Sequence, residues 1–166
     1  MTLKDQNDAI DKLVTQWKQE RPELDAEAMQ VVGRLIKLGK VLEKRASKVL
    51  KGSDIHYTDL DVLATIRRSG RPYELTPKQL MESVLITSGA MTALLDRLTK
   101  IELIYRATDK KDGRIKLAGL TKKGIKVTDK AIEIRFEDAN SSIKIFNETQ
   151  QKTLAALLKK LLISLT

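Results

Sequence analysis

From Leu75 to Gly124 the chain reads LTPKQLMESVLITSGAMTALLDRLTKIELIYRATDKKDGRIKLAGLTKKG. Thr76 followed by Pro77 is a helix start, because threonine caps and proline suits the first helical position. The helix so begun, Pro77 to Val84, is only about two turns long. A break follows at Ile86-Thr87-Ser88-Gly89, where Thr87 or Ser88 caps a second helix from Gly89 to Lys100. That helix buries Met91, Leu94, Leu95 and Leu98 on one side, by their helical spacing. Next come two β-prone runs, Leu103–Thr108 and Ile115–Leu120, around the charged, glycine-containing turn Asp109 to Arg114, a hairpin signal. The order is helix, turn, helix, wing.

The outward side of the second helix carries Ser88, Ala90, Thr92, Ala93, Asp96 and Arg97. Small side chains let a helix axis approach base edges in a major groove, so this is the face a recognition helix needs. The wing is strongly cationic: between Arg106 and Lys126 eight bases face only the acids Asp109 and Asp112. Lysines also keep an edge hairpin from pairing with other chains, and alone the two readings weigh equally. Placed directly after a helix-turn-helix pattern, the excess favours nucleic acid.

Outward from this unit the chain is helical. Ile10, Leu13, Val14 and Trp17 form an amphipathic stripe that Pro22 closes. Asp25 is a cap for a longer helix running through Met29, Val32, Leu35, Ile36, Leu42, Ala46, Val49 and Leu50 to Gly52. The basic row on its other face reads as ordinary solvation. Thr58 or Asp59 caps a third helix built on Leu60, Val62, Leu63 and Ile66, and Tyr73 to Leu75 form one short strand. After the wing, Thr121 caps a helix through Ile125, Val127, Ala131 and Ile134. A last helix after Asn147 carries Leu154, Leu157, Leu158, Leu161, Leu162 and Leu165. That leucine stripe is wide for a helix lying on a small core, and a second copy across a two-fold axis explains it better.

Composition narrows the function classes. With 42% hydrophobic and 32% charged residues the chain is globular rather than disordered, and its net charge of +9 favours a polyanionic partner. There is no cysteine, which removes disulfides and thiolate chemistry and suits a reducing compartment. His56 is the sole histidine, so histidine metal clusters and a histidine triad lack their parts. The spacing of Ser141 and Lys144 matches a nucleophile motif whose companion motifs are missing, and no nucleotide-binding glycine pattern occurs. No apolar run approaches the roughly 20 residues of a membrane span. The expectation is a cytoplasmic, non-enzymatic protein without a cofactor or metal.

The run from Ile86 to Leu98, with the wing and Leu120-Thr121-Lys122-Lys123-Gly124, strongly resembles the MarR family of bacterial transcription regulators. The Asp109, Asp112 and Arg114 turn matches the Asp-x-x-Asp-x-Arg wing of that family. The resemblance implies an obligate winged-helix homodimer joined through its N- and C-terminal helices and bound to a palindromic double-stranded DNA operator, with release by a small aromatic or anionic effector. On this reading Ser88, Ala90, Thr92 and Ala93 approach bases, while Arg97, Lys110, Lys111 and Arg114 meet phosphates or the minor groove. Family analogy also offers a pairing of Asp96 with Arg114 that sets the pose of the wing.

A narrower likeness is to the PecS-type, urate-responsive branch. It rests on the N-terminal helix with Trp17, on Glu20 to Asp25, on Val31-Val32-Gly33-Arg34-Leu35, and on Asp61-Val62-Leu63-Ala64-Thr65 running into Arg67-Arg68-Ser69-Gly70. The resemblance implies Trp17, Asp61 and Arg106 as ligand residues. A fourth ligand position, an arginine after an asparagine, is replaced by Ala93-Leu94. Losing one charged partner costs on the order of 2 kcal/mol, which predicts a weak response to urate. Glu102 stands where the family has a glycine at the end of the recognition helix.

The expected organisation is mainly α with a small β-hairpin wing. Residues 1–24 form an N-terminal arm, 25–56 a first dimer or scaffold helix, 57–124 the DNA-binding domain, and 125–166 the C-terminal dimerisation helices. The competing reading is a helical adaptor whose basic wing binds an acidic protein.

Overall fold

The computed structural model describes residues 6–52, 55–84, 87–109 and 112–166. Seven helices and three strands follow in the order α1 (Ala9–Glu20), α2 (Met29–Val49), α3 (Tyr57–Arg68), β1 (Glu74–Leu75), α4 (Pro77–Ser83), α5 (Ser88–Lys100), β2 (Ile104–Thr108), β3 (Lys116–Leu120), α6 (Lys122–Ser142) and α7 (Glu148–Leu165). The chain divides into two compact units, Met1–Arg45 and Ala46–Thr166.

In the N-terminal unit, Asp8 and Asp11 form a reciprocal capping box that starts α1, and Ile10 and Val14 are buried. Gly33 is where α2 comes close: a β-carbon there would meet Ile10 Cδ1 at 3.1 Å. Arg34, next in sequence, donates to Asp8 and Asp11 at 2.8 Å each. The Val-Val-Gly-Arg run thus has a local reason, since the glycine permits the approach and the arginine clasps the cap. Asp25 accepts from the Glu27 amide at 3.0 Å, capping a turn over 26–28 before α2 begins at Met29, later than the sequence suggests.

In the second unit, Leu60, Val62, Leu63 and Ile66 of α3 pack with Leu80 of α4, the inward side of α5, and Leu103, Ile104, Ala118, Leu120 and Ala131. The cap of α3 is His56 rather than Thr58 or Asp59. Asp59 instead takes the third helical position, where it accepts from the His56 amide at 2.6 Å and is fully buried.

The sheet is antiparallel in the order β1-β3-β2, with Glu74 opposite Gly119 and Arg106 opposite Ala118. Gly119 lies under the Tyr105 ring, so close that a β-carbon would enter it. The Tyr105 hydroxyl donates to Glu74 at 2.6 Å, which pushes its pKa up to about 12 and ties β2 to β1 across the middle strand. No helix among the described residues is long and apolar enough to cross a membrane.

Candidate nucleic-acid interface

Helix α5 is set by its cap and its core. The Thr87 hydroxyl accepts from the Ala90 amide at 3.3 Å, so Thr87 is the cap and the helix opens at Ser88, one residue before the sequence suggests. Met91, Leu94, Leu95 and Leu98 are all buried. Ser88, Ala90, Thr92 and Ala93 are therefore turned outward, and all four are exposed. Leu94, where the urate-responsive pattern has an arginine, is a core residue here.

The exit from α5 is held from the start of α6. Lys123 Nζ donates to the Ile101 carbonyl at 2.9 Å, the Thr121 hydroxyl to the Glu102 carbonyl at 2.7 Å, and the Thr121 amide to the Leu103 carbonyl at 3.1 Å. Three consecutive carbonyls of the turn that follows α5 are thus satisfied. Gly124 sits against the Leu103 carbonyl oxygen, where any β-carbon would collide. The Leu-Thr-x-x-Gly run is the chemistry of this joint. Glu102 turns the chain at φ 61°, left-handed geometry that glycine takes without cost.

In the wing turn, Asp109 accepts from the Asp112 amide and Asp112 from the Arg114 amide, each at 3.0 Å. The two acids build the turn from within. Arg114 and Lys116 are exposed. Lys110 and Lys111, assigned to the wing tip from sequence, lie outside the described residues.

Two ion pairs depart from the sequence reading. Asp96 accepts from Arg106 at 3.0 Å, not from Arg114. Arg97, read as a phosphate contact, pairs its guanidinium with the buried Asp59. Nothing in the spacing of Asp59 and Arg97 announces that pair, since it joins two helices far apart in sequence.

The remaining ligand candidates lie on both units. Trp17 is 47% exposed on α1, beside Leu13, Gln16 and Glu20. Asp61 is half-buried on α3, and burial raises its pKa although Arg135 and Arg68 pull the other way. Its carboxylate makes no hydrogen bond or ion pair among the described residues. Arg67, six residues on, donates to Asp129 of α6 at 2.8 and 3.2 Å and lies over the Tyr73 ring at 4.7 Å.

The MarR family model matches residues 53–115, from the connection before α3 into the wing turn. The chain is also 31% identical to the HTH-type transcriptional regulator PecS of Dickeya dadantii (strain 3937), over 90% of each protein. The chain belongs to the MarR family. This is a family of transcription regulators, not enzymes, and its fold is the winged helix-turn-helix seen here. Among solved structures, a mutant MarR from E. coli complexed with operator DNA superposes with a TM-score of 0.71 at 25% identity, covering 88% of this chain and 97% of that one. The S. aureus MepR–DNA complex gives 0.73 at 25% identity, covering 81% and 97%.

Proposed function

We propose that this MarR-family chain is a cytoplasmic homodimer that binds a palindromic operator in double-stranded DNA and represses until a small aromatic or anionic effector releases it. One observation carries the reading: a helix whose apolar side is fully used by the core turns Ser88, Ala90, Thr92 and Ala93 outward beside a cationic hairpin. Such a face enters a major groove, and Lys110, Lys111 and Arg114 then serve phosphates or the minor groove. Residues 57–124 act as the DNA-binding body. The arm 1–24, the scaffold helix 25–56 and the helices of 125–166 join the two copies and set the half-sites about 10 bp apart. In support, α7 buries none of its residues within the chain.

Trp17, Asp61 and Arg106 are the effector residues of this proposal. An anion that takes Arg106 competes with Asp96, and so pulls directly on the recognition helix. With Leu94 in the core, Trp17 emission is expected to respond to an aromatic carboxylate and only weakly to urate.

The test is fluorescence anisotropy on a duplex from upstream of the chain's own gene. Lys110→Ala, Lys111→Ala and Arg114→Ala together should weaken binding to all sequences and flatten the salt dependence by about 0.9 for each phosphate no longer neutralised. Binding as tight as the parent's would remove the wing from the interface. Failure of the parent to bind any duplex, with capture of an acidic protein instead, would favour the adaptor reading.

A further inference from the structure

Asp96 and Arg97 are neighbours on the recognition helix, yet each is tied to a different element. Asp96 reaches strand β2 through Arg106, and Arg97 reaches the first turn of α3 through Asp59. Asp59 has no exposed surface, whereas about a third of the Arg97 side chain remains exposed. A buried carboxylate needs both hydrogen bonds and a countercharge to stay ionised. Among the described residues Asp59 has the His56 amide for the first and Arg97 for the second. A phosphate that drew Arg97 away would strand that carboxylate in the core.

We propose that Arg97 is a positioning residue: paired with buried Asp59, it fixes the pose of the recognition helix against α3 and so sets sequence discrimination rather than contacting phosphate. The inference rests on the DNA-binding reading above. Asp96 with Arg106 braces the same turn toward the wing. A helix held from both sides keeps its outward face at one angle to base edges, and hydrogen-bond readout depends on that angle. Phosphate contacts carry no such demand, so the pair should separate specific from non-specific binding.

The decisive variants are Asp59→Asn and the double variant Asp59→Asn with Arg97→Gln. Asparagine keeps an oxygen for the His56 amide, and the double change leaves no buried charge unpaired, so both should fold. Affinity is measured across a salt series for the upstream duplex and for a scrambled duplex of equal length. The expected result is a fall of about tenfold in the ratio of the two affinities, with scrambled binding unchanged. The double variant should keep the parent's salt slope. A slope lower by about 0.9 for each Arg97, or an unchanged ratio in both variants, overturns the proposal.

Amide hydrogen exchange decides the brace without DNA. Asp59→Asn should speed exchange over 88–100 relative to 122–142, and identical protection would sink the inference. A parent that does not distinguish the two duplexes counts against the operator reading, while the exchange result still judges the pair.

Discussion

Helices α5 and α7 both carry apolar stripes, but one stripe is consumed by the chain's own core and the other is left in solvent. On α5, Met91 and Leu95 are 1% exposed and Leu98 is fully covered. On α7, Leu157, Leu162 and Leu165 are 61%, 64% and 76% exposed, and Phe136 on α6 and Ile145 before α7 are open as well. Periodicity shows that a helix has an apolar side and says nothing about what covers it. Apolar surface this extensive marks an interface, which is the reason for assigning α7 to a second copy.

The largest expected effect breaks that contrast. Leu157→Lys with Leu162→Lys should convert the dimer to a monomer in sedimentation equilibrium while leaving the winged unit folded. Each buried leucine lost is worth roughly 1.5 kcal/mol or more, so dissociation should rise at least about a hundredfold. If the double variant stays dimeric, α7 is not the seam. Leu95→Ala should do the opposite, lowering unfolding free energy by about 2–5 kcal/mol in urea denaturation of either oligomeric state. A loss below about 1 kcal/mol would show that the α5 stripe is less essential than its burial implies.

Smaller changes sharpen the picture at the margins of the core. Glu102→Gly relieves a left-handed residue and gives up only a loose, exposed pairing with Lys123 at 3.8 Å. Relief of about 1–2 kcal/mol of left-handed strain, less the greater unfolded-state entropy of glycine, should raise stability by up to about 1 kcal/mol, read as a higher urea midpoint. Thr128 is fully buried in α6 with no hydrogen-bond partner for its hydroxyl among the described residues. Thr128→Val should therefore be neutral or slightly stabilising, and a clear loss would reveal a partner for that hydroxyl.

Much of this is legible in the residues because short-range rules govern it. Thr76-Pro77, Thr121 and Asn147 start helices where capping chemistry says they should, and the α5 core residues are the ones their spacing selects. The strand at Glu74–Leu75 is readable, though not its pairing with β3, since register is decided by the partner. Asp59 reads as a cap alternative because a carboxylate near a helix start looks the same whether it faces water or an arginine on another helix. Asp96 likewise takes Arg106 over Arg114, a choice that needs the placement of β2 against α5. Of the interface, the outward small residues follow directly from the inward ones, while the ties that aim the helix need three dimensions.

The contact between Gly124 and the Leu103 carbonyl leaves no clearance for even a methyl group. Helix α6 extends about 27 Å beyond that point, to Ser142. With the fulcrum at one end, a tilt of about 5° carries the distant end through more than 2 Å. Hinges with free play absorb such swings; a bearing this tight obliges α6 and the turn after α5 to move together or come apart.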